Sequence, residues 1–181
     1  STLLASSAAS DVYKRQDINR PIHFWKDRNM LKDIIKTYRD NPDKNIIIDS
    51  GGYDSNVSRE IILNSNLIIT PITVSQTEVD GLQKFYSENV EIALKSNPYI
   101  KPYILLNRIN YYDQKDAEDL ITFIISEIPD YKVLSTALGA RKDFKKAFSE
   151  GKSVVEYNKS SPASQEISAL VKEISALIKN V

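Results

Sequence analysis

The sequence predicts an α/β fold: a doubly wound, mostly parallel sheet with helices on both faces. Three observations carry this. Four short apolar runs recur along the chain: NIIID, NLIITPI, KPYILLN and YKVLST. Longer segments with apolar residues at helical spacing separate them. Each run stops at a polar residue or a turn signal. Strands separated by helices pair in parallel, because a parallel pair needs a long crossover, and the crossover helices cover the sheet.

Residues 1–16, STLLASSAASDVYKRQ, are rich in Ala and Ser and then turn polar and basic. Their apolar stretch is too short and too interrupted for a signal peptide. They read as a non-native head standing in place of native sequence, or as a disordered tail, with the folded domain in residues 17–181. Residues 21–41 place Phe24, Leu31, Ile34, Ile35 and Tyr38 near helical spacing, and Asn41 and Pro42 end the helix. NIIID is a continuous apolar run, the mark of a strand covered on both faces. Residues 56–65 read as a short helix with Val57, Ile61 and Ile62 inward and Asn56 or Ser58 as cap. NLIITPI is the next buried strand. Residues 75–97 form a longer helix, with Val79, Leu82, Phe85, Val90 and Leu94 as its apolar stripe and Pro98 as its stop. KPYILLN follows as a strand, and residues 113–128 as a helix whose acidic first turn suits its dipole. YKVLST is the fourth strand, and ARKDFKKAF a short basic helix. From Pro162 an amphipathic helix closes the chain, with proline in its first turn. It carries EISALVK followed by EISALIK. Two heptads fall short of a coiled coil. A helix docked on the core is the better reading than a membrane-surface helix, which would need more cations than Lys172 and Lys179.

Composition narrows the function. The chain has 181 residues, 41% hydrophobic and 27% charged, enough for one domain with a core. Lys plus Arg and Asp plus Glu both number 24, so the formal net charge is zero. That argues against a broad nucleic-acid footprint and leaves room for a local patch. Without cysteine there is no disulfide framework or thiolate metal site, which fits a reducing cytoplasm. The single His23 cannot build a multi-histidine site. No apolar run reaches the roughly 20 residues of a membrane-spanning helix.

In parallel α/β sheets ligands bind beyond the carboxyl ends of the strands. Asp49, Ser50, Gly51 and Gly52 follow the first run, and Asn107 and Arg108 the third. A carboxylate there can hold a hydrated magnesium ion, and the glycines let backbone approach a terminal phosphate. This is the logic of the aspartate-bearing second motif of P-loop nucleotidases. The same Asp-Ser-Gly-Gly also makes an ordinary turn. Asn107 can offer paired donor and acceptor to an adenine edge, or simply start a turn. Asp17 precedes the first helix, as a cap or as a second acidic group near a phosphate. Arg141, Lys142, Lys145 and Lys146 share an arc beside Phe144 and Phe148. Such an arc can grip phosphate backbone without reading bases, or can be a solvated face.

In order, these pieces resemble the ParA/MinD superfamily of deviant Walker ATPases, especially plasmid-partition ParA proteins. DINRPIHFWKDR resembles the family's Asp-containing switch segment and the helix after it. NIIIDSGGYDSNVSREIILNSNLIITPI resembles the Walker B strand, its glycine switch and the next strand. ILLNRIN resembles the strand that ends in an adenine-facing Asn. ARKDFKKAFSEGKSVVEY and the terminal helix resemble the closing pattern. The resemblance implies ATP and Mg2+ as cofactors, with Asp49 on the magnesium side through water. Asp17 would help position the attacking water, Gly51 and Gly52 would form the switch, and Asn107 would bind the base. It also implies a homodimer, nonspecific DNA contacted by Arg141, Lys142, Lys145 and Lys146, a stimulating protein of the partition complex, and a nucleoid-associated cytoplasmic location away from membranes.

One departure matters. The family opens with a strand and a Gly-rich loop, and no G-x-x-x-x-G-K-[ST] pattern occurs among the five glycines of this sequence. The expectation is therefore an amino-terminally truncated member, lacking first strand and P-loop and inactive as an ATPase. The competing readings are a non-catalytic ParA-like interaction module without a nucleotide site, and a MinD-like positioning ATPase.

Overall fold

The computed structural model describes residues 2–5, 22–24, 28–41, 44–50 and 55–179. It contains two compact units, residues 1–64 and 65–181.

In the first unit, strands β1 (Thr2–Ala5), β2 (Ile22–Phe24) and β3 (Ile46–Asp49) pair in parallel in the order β2-β1-β3. Leu3 registers with Ile22 and with Ile47, and Ala5 with Phe24 and with Asp49. Four residues of the segment read as a head thus form the middle strand, where no strand was expected. A run this short carries too little pattern to identify by itself. Its ladder on both sides holds it, since without β1 the facing edges of β2 and β3 would lie unpaired. A second difference concerns residues 21–41. Ile22, His23 and Phe24 are a strand, and helix α1 runs only over Arg28–Arg39. Apolar-polar-apolar alternation suits a strand, and Phe24 belongs to it rather than to the helix.

The core of this unit is Leu31 and Ile35 of α1 against Ile61 and Val57 of α2 (Ser55–Leu63), with Ile46 and Ile48 of β3. The i, i+4 spacing on each helix brings these pairs to one face. Strand β3 is not covered on both faces: Ile46 and Ile48 are half-buried, but Ile47 is 59% exposed. Three consecutive isoleucines conceal an alternation that the structure reveals. Because α2 starts at Ser55, Asn56 and Ser58 lie inside the helix.

In the second unit, β4 (Leu67–Ile72), β5 (Lys101–Leu106) and β6 (Lys132–Val133) pair in parallel in the order β4-β5-β6. Pro71 falls on the outer strand, where its missing N–H is tolerated. Strand β5 is central, and its side chains divide between two cores. Ile104 and Leu106 pack with Leu82 of α3 (Gln76–Phe85) and with Leu120 and Ile124 of α5 (Gln114–Glu127). Tyr103 and Leu105 pack with Leu134, Leu138 and Leu170. Leu170 belongs to the terminal helix, which docks Ile167, Ile174 and Leu177 on the same cluster. Helices therefore cover both faces, as the alternating pattern predicts. Ile104 is fully buried, so cutting it to Ala should cost about 2–5 kcal/mol.

Helix α3 continues through a π turn (Tyr86–Val90) into α4 (Glu91–Ser96). At 3.6 residues per turn, Leu82 and Val90 would sit about 80° apart. The wider turn resets the stripe, and both join the cluster around Ile104. Strand β6 ends at Val133, earlier than YKVLST suggests. Leu134 N–H still donates to Ile104 O at 2.9 Å, and then the chain leaves the ladder. Three helices follow: α6 (Lys142–Ser149), α7 (Val154–Tyr157) and α8 (Pro162–Lys179). Helix α7 begins with a capping box in which Ser153 and Glu156 satisfy each other's backbone N–H groups. Among the described residues no helix is long and apolar enough to cross a membrane.

Candidate functional site

The carboxyl end of β5 turns sharply. Asn107 N–H donates to Ile72 O at 2.8 Å, one step past the strand. Arg108 then adopts φ 58°, left-handed backbone that costs an L-residue about 1–2 kcal/mol. Ile109 N–H donates to Leu138 O at 3.0 Å, and Ala140 N–H to Ile109 O at 3.0 Å. These bonds on either side hold the turn in place. Asn107 is half-buried, and its side-chain amide hydrogen-bonds to no described residue. A strand-end amide with its donor and acceptor uncommitted can pair with a planar edge such as a base.

The segment beside it, residues 134–141, is pinned by two carboxylates of α8. Glu173 Oε1 accepts the Ser135 N–H at 2.7 Å and the Ser135 hydroxyl at 2.8 Å, and its Oε2 accepts the Thr136 N–H at 2.9 Å. Burial pushes the Glu173 carboxyl upward, but these bonds from Thr136 and Ser135 outweigh it and hold the carboxyl below its ordinary value. Glu166 Oε2 accepts the Gly139 N–H at 3.0 Å, and its Oε1 takes Arg141 Nε and Nη2 at 2.9 and 2.7 Å. A Cβ on Gly139 would meet Arg141 Nε at 2.7 Å, so glycine leaves room for the guanidinium. Neither glutamate was among the sequence-derived candidates. The signal was present in the duplicated EISAL, which sets the two acids seven residues apart on one side of α8.

Asp49 is the last residue of β3 and is exposed. Asp17, Gly51 and Gly52 lie outside the described residues. Among the described residues no group of three or more His, Asp or Glu could hold a metal ion. A strand-end carboxylate suits magnesium, which keeps most of its waters and often takes only one or two protein carboxylates. Asp49 in the first unit can face a hydrated magnesium ion, and Asn107 in the second can face a base edge. A nucleotide's phosphates find no G-x-x-x-x-G-K-[ST] loop in this sequence.

The basic arc divides in two. Arg141 precedes α6 and is held by Glu166. Lys142, Lys145 and Lys146 are exposed and make no ion pair with any described residue. Phe144 and Ala147 turn inward, whereas Phe148 is exposed.

No family model and no curated protein matches the chain. Solved structures do. The septum site-determining protein MinD of Pyrococcus horikoshii OT3, solved with Mg-ADP, superimposes with a TM-score of 0.60 at 13% identity, over 98% of this chain and 85% of that one. The chain shares the fold of MinD. A plasmid partition protein of Borrelia burgdorferi aligns over 88% of this chain and 86% of that one, with a TM-score of 0.49 and 14% identity. The MinD likeness bears out the predicted α/β architecture with parallel strands.

Proposed function

We propose that the chain is a ParA/MinD-type nucleotide-dependent positioning protein, of the kind that partitions plasmids or chromosomes. The single observation that carries the reading is Asn107, uncommitted at the carboxyl end of β5 in a MinD-like fold. Asn107 would recognise adenine. Asp49 would stand on the magnesium side, as the strand-end carboxylate of such folds does. Asp17 and the Gly51-Gly52 pair would sense the phosphate end. ATP would drive homodimerisation, and a protein of the partition complex would stimulate turnover. Lys142, Lys145 and Lys146, with Arg141 beside them, would bind DNA of any sequence in the nucleoid. When bound, Mg-ATP would supply the phosphoryl group to be cleaved. Asn107 would orient its base.

Because this sequence carries no phosphate loop, these 181 residues should bind ATP weakly and hydrolyse almost none. That same feature favours a second reading, an interaction module of this fold that works without nucleotide. Calorimetric titration with Mg-ADP separates the two. Weak binding that Asn107→Ala reduces at least tenfold supports the nucleotide reading. Absence of binding to the full chain favours the second.

A further inference from the structure

The heptads of α8 have a side that the strand ends do not use. Glu166 and Glu173 are both committed to residues 135–141. A groove of about 340 Å³ runs instead between α7 and α8, lined by Val155, Lys159, Ser164, Gln165, Ser168 and Lys172. That is the small end of the range for ligand clefts, about 300–1,000 Å³. No carboxylate lines it, and its two charged side chains are both ammonium groups without an ion pair to any described residue. Ser164 lines the groove although the residue is only 2% exposed. Its N–H is taken by Ser161 Oγ at 3.1 Å and its carbonyl by the Ser168 hydroxyl at 2.7 Å. Its own hydroxyl has no partner among the described residues. The hydroxyl keeps its only open side toward the groove, where it can donate to a group seated there. Ser164 also lies in the first turn of an 18-residue helix, where the macrodipole favours negative charge.

We propose that this groove is a phosphate-binding site, separate from the strand ends and independent of the nucleotide reading. Lys159 and Lys172 supply the charge, and the Ser164 hydroxyl donates to a phosphate oxygen. A tetrahedral oxyanion with several acceptor oxygens matches two ammonium groups and a hydroxyl better than a single planar carboxylate does. The phosphate can come from a small phosphorylated molecule or from a nucleic-acid backbone, and the chemistry at the site is the same.

The test uses the full chain with inorganic phosphate, followed by 31P line broadening. Millimolar binding is expected, weakened about tenfold or more in Lys159→Gln/Lys172→Gln, as loss of two charge-assisted contacts requires. Ser164→Ala should weaken it by a smaller factor. Lys172→Gln alone, at an exposed position, serves if the double variant folds poorly. A random-sequence duplex then competes. Displacement of phosphate by duplex supports the site and assigns it a backbone phosphate. Binding without displacement supports the site and assigns it a small phosphorylated ligand. Absence of phosphate binding up to tens of millimolar, or binding unchanged in a folded lysine variant, overturns the proposal.

Discussion

Glu173 receives both the N–H and the hydroxyl of Ser135, at 2.7 and 2.8 Å, from 38 residues along the chain. With the Thr136 N–H this makes three donors on one carboxylate, tying α8 to the segment that leaves β6. Glu173→Ala should cost about 1–2 kcal/mol, since charged hydrogen bonds are worth more than neutral ones but Ser135 is exposed to water. Urea unfolding of the two proteins measures this. A loss without a change in slope is expected.

The same carboxylate predicts an acid limb. Its pKa in the folded chain lies below the ordinary 4.5, so the ionised form is preferred in the native state. The stabilisation is complete above about pH 4.5 and is lost as pH falls through the lower folded value. Glu173→Gln lacks this dependence. The stability gap between the two proteins should therefore narrow as pH drops below that range, and thermal melts at stepped pH will read it.

Gly139 should tolerate no side chain while Arg141 stays on Glu166. Gly139→Ala puts a methyl 2.7 Å from Arg141 Nε and should displace the guanidinium, at a cost of about 1 kcal/mol. In an Arg141→Ala background the same change should be close to neutral. A double-mutant cycle gives the coupling, and additive effects would count against the contact.

Lys145→Glu/Lys146→Glu should weaken binding to unrelated DNA duplexes equally. It should also flatten the salt dependence by roughly two phosphate contacts, about 0.9 of slope each. Arg141→Ala should also lower stability, because its partner Glu166 is 19% exposed and would lose its cation. Fluorescence anisotropy across a salt series tests both. Sequence-dependent loss, or no loss, removes α6 from any DNA surface.

How much of this could be read from the chain depends on where the pattern is long enough. Strand β5 was clear because KPYILL puts alternating bulky residues into two cores at once. Helix α8 was clear because Ile167, Leu170, Ile174 and Leu177 keep one face over three turns. Thr2–Ala5 was not, because four residues have no period and only pairing with β2 and β3 defines them. Ile47 misled for a related reason: a run of identical residues shows no alternation, and its exposure follows from the sheet. The π turn at Tyr86–Val90 leaves no mark beyond a slightly wrong apolar spacing. At the candidate site, Asn107 was legible as the end of an apolar run. The clips by Glu166 and Glu173 join residues 25 to 38 positions apart, which no local pattern encodes.

The most direct measurement is an adenosine titration followed through the side-chain amide of Asn107 by NMR. Adenosine carries no phosphate, so the lack of a phosphate loop in this sequence does not weaken the test. Shifts at Asn107 and in the neighbouring residues 135–139 with adenosine, and none with guanosine, are the predicted result. An unmoved Asn107 amide, or equal shifts with both nucleosides, would contradict base recognition at the end of β5.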